Sequence, residues 1–302
     1  MQSFTCRRAA VFSDIHSNYP AFKACCDDAL DRGADLFIFL GDYISDLAEP
    51  CTTMDLVYEL RSRFPCICLR GNRERYMLEY EQGVGKFARG SKTGSLLYTY
   101  ENLRHCDLDF YRKLPIYDLI EVNGVPIEIA HSLKNDDHFY YEKEDESIQS
   151  VFEQIEQPYF LTGHSHRQYA KTNECKTIIN PGSIGVPHGN GYHAQYALLD
   201  VGSGRFDVCF RRVSYCIEDS IRAQFRSGLT EYANYWAISI LYDIITGKEH
   251  TLHLLERVQR KAARDSTAIY DENLWRCAAE EMGMRFTQRE ILAYLQSVRD
   301  SQ

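Results

Sequence analysis

Short apolar runs alternate with helical stretches through the first half of the chain, the pattern of strands joined by covering helices. RRAAVFS predicts a strand, Asn18 to Asp31 a helix opened by Asn18 and Pro20, and DLFIFL a second strand. CTTMDLVYELRSRF predicts the next helix and CICLR the third strand. Three βα units in succession imply parallel strands, because a parallel pair needs a crossover and the crossover helices bury both faces. The texture then changes. YDLIEV and VPIEIA flank Asn123-Gly124, a strong hairpin signal. PYFLTG, QYAKT, KTIIN, HAQYALLDV and RFDVCFRRV follow as short, mostly antiparallel strands. A mixed α/β sandwich with two sheets between helical layers accommodates both textures.

After about Cys216 the strand signals stop. EDSIRAQFRSG, TEYANYWAISILYDIITG, EHTLHLLERVQRKAAR, DENLWRCAAEEMG and TQREILAYLQSVRD predict helices punctuated by Gly228, Gly247 and Gly283. Thr287 and Glu290 have capping-box spacing, with Ile291, Tyr294, Leu295 and Val298 in one apolar stripe behind them. The aromatic-rich EYANYWAISILY needs a surface to cover it. The tail is therefore expected to pack on the core or to join copies of the chain in a homo-oligomer.

The 302 residues, 44 % hydrophobic and 25 % charged, have ordinary globular composition, which excludes a disordered or low-complexity chain. A net charge of −9 opposes nonspecific binding to phosphate backbones, and residues 217–302 carry 11 basic against 13 acidic side chains, so no DNA binding is expected. No apolar run reaches the ~18 residues of a membrane span, and Arg7 and Arg8 near the start have no long apolar stretch behind them. The expected address is cytoplasmic, without membrane contact. The 11 cysteines include no CxxC pair, and reduced thiols filling core space, as at Cys66 and Cys68, are expected.

The chemistry lies at strand ends. AAVFS ends in Asp14-Ile15-His16, DLFIFL in Gly41-Asp42, CICLR in Gly71-Asn72-Arg73-Glu74, IEIA in His131, and YFLTG in His164-Ser165-His166. Open α/β sheets bind ligands at such carboxyl ends. Each motif alone is weak: DxH is commonly a helix cap with a solvated histidine, GD and GN are common turn dipeptides, and His131 could be a satisfied core residue. Their succession at five strand ends points to one site. Seven ligands of mixed oxygen and nitrogen type suit Mn, Fe, Zn or Ni better than a thiolate zinc site does. His105, His138, His188, His193, His250 and His253 lack such a context.

Across about residues 8 to 215 the chain resembles the calcineurin-like metallophosphoesterase superfamily, in its small bacterial and archaeal branch. SDIHSN, LGDYI, RGNRE, AHS and TGHSH match in order, as does INPGSIGVP followed by YALLD. The resemblance implies a four-layer αββα sandwich of two mixed β-sheets, with residues 1–216 as the catalytic domain and 217–302 as a C-terminal helical extension beyond the family core. It implies two divalent transition-metal ions, with Asp14, His16 and His166 on the first, Asn72, His131 and His164 on the second, and Asp42 bridging. Two cations ~3.5–4 Å apart activate a bridging hydroxide and clamp phosphoryl oxygens for in-line attack. The implied activity is hydrolysis of a phosphate ester or anhydride, with a phosphorylated small molecule or nucleotide as partner.

One departure bears on the substrate. The family commonly has a histidine after GN, credited with helping the leaving group depart, where this chain has Arg73. A guanidinium cannot be a general acid but holds phosphate oxygens bidentately, so Arg73 is assigned an electrostatic catalytic and substrate-binding role. The alternative turns Arg73 outward to Glu74 or Glu79. Between Arg70 and Lys92, six basic residues stand against three acidic ones, a possible steering surface for polyanions or a solvated helix face. Lacking an acid, the site should favour anhydrides and aryl phosphates, with dinucleoside polyphosphates fitting best. A serine/threonine phosphoprotein phosphatase and a catalytically weak metal-binding scaffold are the competing readings. Ser132 replaces a glycine frequent in the family, and the acidic LKNDDHFYYEKEDES after it reads as a mobile rim.

Overall fold

Alternate residues of the strand Ala9–Phe12 go to opposite layers, and this period of two organises the molecule. Ala9 and Val11 pack with Leu36, Ile38, Ile127 and Ile129 between two sheets. Ala10 and Phe12 pack with Phe22, Phe37, Phe39 and Tyr111 beneath covering helices. A computed structural model describes residues 1–132, 146–189, 192–202 and 205–301. The segment read as a mobile rim thus lies, over 133–145, outside the described residues, as does His138.

In chain order the elements are β1 (Gln2–Phe4), β2 (Ala9–Phe12), α1 (Tyr19–Asp31), β3 (Leu36–Phe39), α2 (Pro50–Arg63), β4 (Cys66–Cys68), α3 (Asn72–Glu81), α4 (Gly94–Glu101), α5 (His105–Lys113), β5 (Tyr117–Val122) and β6 (Val125–Ala130). They continue as α6 (Glu146–Gln154), β7 (Tyr159–Leu161), β8 (Gln168–Thr172), β9 (Thr177–Pro181), β10 (Ala194–Gly202) and β11 (Arg205–Val213). The chain ends in α7 (Ile217–Arg226), α8 (Leu229–Thr246), α9 (His250–Asp265), α10 (Glu272–Glu281) and α11 (Gln288–Asp300).

One sheet runs β11-β10-β2-β3-β4 and the other β1-β5-β6-β7-β9-β8. β2, β3 and β4 are parallel, as the βα units require. β5 and β6 form the hairpin around Asn123-Gly124, both at positive φ. The second half departs from the mostly antiparallel expectation at β7, which is parallel to both β6 and β9. The connection through α6 returns the chain in the same direction, which a tight turn cannot do. Ile148, Val151 and Phe152 of α6 cover Phe160 and Ile178 on the outer face of this sheet, completing the αββα order. The sequence pattern did not anticipate β1, α4 or α5. Among the described residues every cysteine is free. Core filling holds for Cys25 and Cys26 but not for Cys106, Cys175, Cys209 and Cys216, which are exposed. Among the described residues no helix is long and apolar enough to cross a membrane.

The extension packs on the sandwich. Leu47 and Val186 join Ile217, Ile221, Ile240, Trp275, Ile291 and Leu295 in one apolar cluster, and Ala48 and Tyr98 join Ala223, Leu229, Ala233 and Ala237 in another. The stripe on α11 and the apolar residues of α8 are thus covered within the chain. Gly94 permits the closest approach: a Cβ there would sit 1.9 Å from the Tyr232 carbonyl oxygen. α8 kinks at Asn234 (φ 43°, ψ −116°). Gly90 donates its N–H to the Tyr232 carbonyl at 2.7 Å, and the Glu272 carboxylate accepts from the Asn234 amide and the Ser91 hydroxyl, both at 2.8 Å. These bonds hold the kink, beyond which the Trp236 indole meets Asp46 of the sandwich while the Tyr235 ring packs on Phe286 of the extension.

Truncation after Cys216 is expected to expose Leu47, Ala48, Tyr98 and Val186 and to produce aggregates in light scattering. A truncated chain that remained monodisperse at monomer mass would overturn the packing role given to the extension.

Candidate metal centre

Five of the seven motif residues leave their strands in a conformation that L residues avoid. Asp14 (φ 53°), His16 (φ 50°), Asp42 (φ 56°), His164 (φ 68°) and His166 (φ 57°) are all left-handed. Such residues cost on the order of 1–3 kcal/mol each and persist where surrounding structure overdetermines them, characteristically at functional sites. Here the overdetermination is visible. Asp14 donates its N–H to the Gly41 carbonyl at 3.1 Å, and Ile15 and His16 both donate to the Asp42 carbonyl at 2.8 and 3.1 Å. The β2 and β3 ends are thereby stitched together.

The motif glycines serve close approach. A Cβ on Gly71 would meet Asp42 Oδ1 at 2.2 Å, and one on Gly163 would meet Ser13 Oγ at 2.0 Å and Asp14 Oδ2 at 2.8 Å. The Glu74 carboxylate, fully buried, accepts from the backbone N–H groups of Asp42, Tyr43 and Gly71 at 2.8–2.9 Å. It therefore holds two motif loops at once.

The imidazoles are oriented from behind. His131 Nδ1 lies 3.0 Å from the Leu40 carbonyl and His166 Nδ1 lies 2.8 Å from the Val186 carbonyl. A carbonyl only accepts, so each Nδ1 carries the proton and each Nε2 turns inward with a lone pair when the ring is neutral. His16 Nδ1 is backed by Asp46 Oδ2 at 3.2 Å. The inward Nε2 atoms of His16 and His166 stand 3.0 Å apart. Asn72 Oδ1 lies 3.0 Å from both His131 Nε2 and His164 Nδ1.

Two carboxylates sit among these nitrogens. Asp14 Oδ2 accepts from Ser13 Oγ and the His164 N–H, whereas its buried Oδ1 accepts no hydrogen bond and faces His166 Nε2 at 3.3 Å and His16 Nε2 at 3.8 Å. Asp42 Oδ1 accepts from the Arg73 N–H at 2.8 Å, while Oδ2 lies 3.4 Å from His131 Nε2 and 3.8 Å from His16 Nε2. Asp42 thus stands between the two histidine sets. Asp14, His16 and His166 form one compact group of potential ligand atoms, and Asp14, Asp42 and His131 form another. The second group takes Asp14, which the implied set gave to the first site, and does not include His164.

The electrostatics fit a cation. Burial opposes ionisation of both acids, yet His166 beside Asp14 holds that carboxyl well below the usual range, and His131 beside Asp42 holds the second at about 2. Burial would lower His16 and His131, but Asp14 and Asp46 around the first and Asp42 beside the second push both up to about 9. Two buried carboxylates thus draw positive charge onto the surrounding rings, and a divalent cation would supply that charge in its place. The orphan oxygen, inward nitrogens and mixed donors suit transition-metal binding.

Arg73 does not pair with Glu74 or Glu79. Its guanidinium reaches Asp46 Oδ2 at 2.9 Å and lies 3.9 Å from Asp42 Oδ2, while Glu74 is buried under the loops and Glu79 faces Arg75 at 3.6 Å. Sequence reasoning passed over Asp46, which joins His16, Arg73 and, at 2.9 Å, the indole N–H of Trp236 from the extension. The signal available was its place four residues after Asp42. Glu74 was legible as the acid three residues past a helix-opening glycine. His188 was set aside, yet its ring lies 5.0 Å from that of His166 and its Nδ1 3.4 Å from Glu249. Burial and then the neighbouring His166 hold it well below the ordinary histidine range. Helices α8 and α9 reach the same cavity with Trp236, Ile240, Asp243, Leu252 and Leu255, joined by Glu249 just before α9, and no motif advertised that wall.

The calcineurin-like phosphoesterase superfamily domain matches residues 8–204. An uncharacterized protein, MJ0912, of Methanocaldococcus jannaschii is 24 % identical over 243 residues, covering 74 % of this chain and 94 % of that protein. The metallophosphoesterase of Sphaerobacter thermophilus superposes with a TM-score of 0.64 at 21 % identity, covering 80 % of this chain and 99 % of the other. The hypothetical protein PH1004 of Pyrococcus horikoshii gives 0.67 at 18 % identity, with 81 % and 99 % covered. Both structures share the fold.

Asp243, 2 % exposed, accepts the Thr251 N–H at 3.1 Å, and burial pushes its carboxyl well above the ordinary value. A carboxyl whose folded pKa is raised stabilises most below its unfolded pKa, and that contribution is lost as pH rises toward the folded pKa. Asp243→Asn keeps the acceptor without the ionisable group. It should raise stability at pH 7–8 and lose that advantage near pH 4, measured by urea unfolding at both pH values. An unchanged difference between the two would refute the assignment.

Proposed function

The chain belongs to the calcineurin-like phosphoesterase superfamily, and from that membership we propose that it is a binuclear metal-dependent hydrolase of phosphate esters or anhydrides. The observation that carries this reading is the pair of neighbouring ligand groups, Asp14–His16–His166 and Asp14–Asp42–His131, with Asp42 Oδ2 lying between the His16 and His131 rings. Asp14, His16 and His166 would hold one divalent cation and Asn72, His131 and His164 the other, with Asp42 bridging. Such a pair supplies Lewis acidity to phosphoryl oxygens and lowers the pKa of water toward neutrality.

The chain's own residues do the positioning. The Leu40 and Val186 carbonyls fix the His131 and His166 rings, and Asp46 backs His16. Arg73, held by Asp46 at the cavity wall, supplies fixed positive charge to a phosphoryl group but no proton. A leaving oxygen must then take its proton from solvent or another residue, which favours leaving groups that depart without acid assistance. A dinucleoside polyphosphate meets that requirement, but only Arg73 of the basic 70–92 stretch lines the cavity. Arg75 is engaged by Glu79 and Arg89 lies over the Tyr232 ring. The lining carries the carboxylates Asp42, Asp46 and Glu249, which favours a substrate presenting one phosphoryl group.

Two tests apply. Asp42→Ala should lose both metals, by elemental analysis, and nearly all turnover of an aryl phosphate in added Mn²⁺. His166→Ala and His131→Ala should each weaken a different site. Two tightly bound metals at near-normal rate in Asp42→Ala would refute the bridge, and both histidine variants emptying one site would refute the division of ligands.

Arg73→Ala should lower kcat/KM for an aryl phosphate by ~10–100-fold, from loss of one charge-assisted phosphate contact worth about 1.5–3 kcal/mol. In competition, an aryl phosphate should be preferred over a phosphoserine peptide. Preference for the peptide, with Arg73→Ala unchanged on both, would favour a phosphoprotein phosphatase and defeat the role given to Arg73.

A further inference from the structure

We propose that α8 and α9 form an apolar subsite beside the metal centre, and that the preferred substrate is a phosphate ester whose organic group is compact and apolar or aromatic. The proposal rests on the phosphoesterase reading and extends it to the half of the substrate that the fold family leaves undefined.

One cavity of about 310 Å3 contains both parts. Asp42, Asn72, His164 and His166 line it from the sandwich, and Trp236, Ile240, Leu252 and Leu255 line it from the extension. Ligand cavities run from about 300 to 1,000 Å3, so this one suits a compact ligand. The extension residues are spaced to share a face: Trp236 and Ile240 stand one turn apart on α8, and Leu252 and Leu255 one turn apart on α9. Ile240 is 4 % exposed and belongs to the apolar cluster that fixes the extension, so the wall is backed by packed side chains. The Trp236 indole N–H donates to Asp46 at 2.9 Å, and its ring meets Trp275 edge to face, with centroids 6.3 Å apart. The aromatic part of the wall is thereby anchored beside the same carboxylate that holds Arg73.

Charge points the same way. Both arginines lining the cavity are engaged by carboxylates, Arg73 by Asp46 and Arg167 by Glu249. A chain of further phosphates would meet acids and apolar carbon, whereas a phenyl, benzyl or short alkyl group would bury against Trp236, Leu252 and Leu255. In the reaction, water oxygen bonds to phosphorus and the P–O bond to the organic group breaks. The leaving oxygen takes a proton from solvent, and the alcohol or phenol is released from the apolar wall.

The test uses the full-length, metal-loaded protein and a series of alkyl phosphates from methyl to hexyl, with benzyl phosphate, whose leaving alcohols have similar acidity. kcat/KM should rise by about threefold to fourfold per methylene, the free energy of burying one such group, until the cavity fills. Leu252→Asn should flatten that slope, and Leu252→Ala, the milder truncation, should reduce it. Diadenosine tetraphosphate should be a poorer substrate than phenyl phosphate, whose phenolate also departs without acid assistance. Calorimetric binding of benzylphosphonate against methylphosphonate gives a readout without turnover, and the benzyl compound should bind at least tenfold tighter. If no ester is hydrolysed but that preference holds and falls in Leu252→Asn, the subsite stands and the phosphoesterase reading fails. If esters are hydrolysed with no dependence on chain length, or the two phosphonates bind equally, the subsite is overturned and the phosphoesterase reading survives. A higher kcat/KM for the tetraphosphate would overturn it too.

Discussion

Two buried carboxylates, Asp14 and Asp42, set the terms for everything around them. An isolated carboxylate without water is prohibitively costly, so each must be surrounded by donors or cations. The chain meets that demand with backbone as much as with side chains. Asp14 takes the His164 N–H and Asp42 takes the Arg73 N–H. Those bonds require the loops after β2, β3, β4 and β7 to turn sharply, which is why left-handed residues and close-packed glycines collect there. The strain of the loops and the charge of the acids are thus one problem, and the rigid parallel strands beneath solve it by fixing where each loop begins.

Asp46 carries the constraint outward. Backing His16, gripping Arg73 and accepting from Trp236, it connects a candidate metal ligand, the cation at the cavity wall and the helical extension through one buried carboxylate. Burial opposes its ionisation, but Arg73 and then His16 hold it well below the usual range. Removing any one partner would leave charge in a site with little water to compensate. The kink at Asn234 serves the same connection, since without it Trp236 would continue along a straight helix.

Much of the fold was legible because its signals are local. Continuous apolar runs marked β2 and β3, Asn18 and Pro20 opened α1, Thr287 and Glu290 capped α11, and Asn123-Gly124 turned the hairpin. The strand-end motifs were legible because open sheets put ligands there. What escaped has a common cause. Asp46, His188 and Trp236 gain their meaning from partners far away in sequence, with 190 positions separating Trp236 from Asp46. The parallel direction of β7 was not legible because three apolar residues carry no orientation, and only the α6 crossover decides it. The exposed Cys209 shows the same limit, since alternation on an edge strand puts a residue in or out according to register.

The division of labour between sandwich and extension follows from where each gets its stability. The motif loops are held by sheet geometry and by bonds among themselves, so little sequence change is compatible with their shape. Helices α8 and α9 are held by apolar packing behind the wall, where volume-conserving exchanges are tolerated. Residues on their cavity-facing side can therefore differ without disturbing the acids, rings and glycines across the cavity. A sandwich of this kind supports many reactions on phosphorus, and fold does not select among them. The sandwich and the extension meet in one cavity, where Trp236, Ile240, Leu252 and Leu255 face the side that carries Asp42, Asn72, His164 and His166, so any selection that the wall exerts can change without touching the acids.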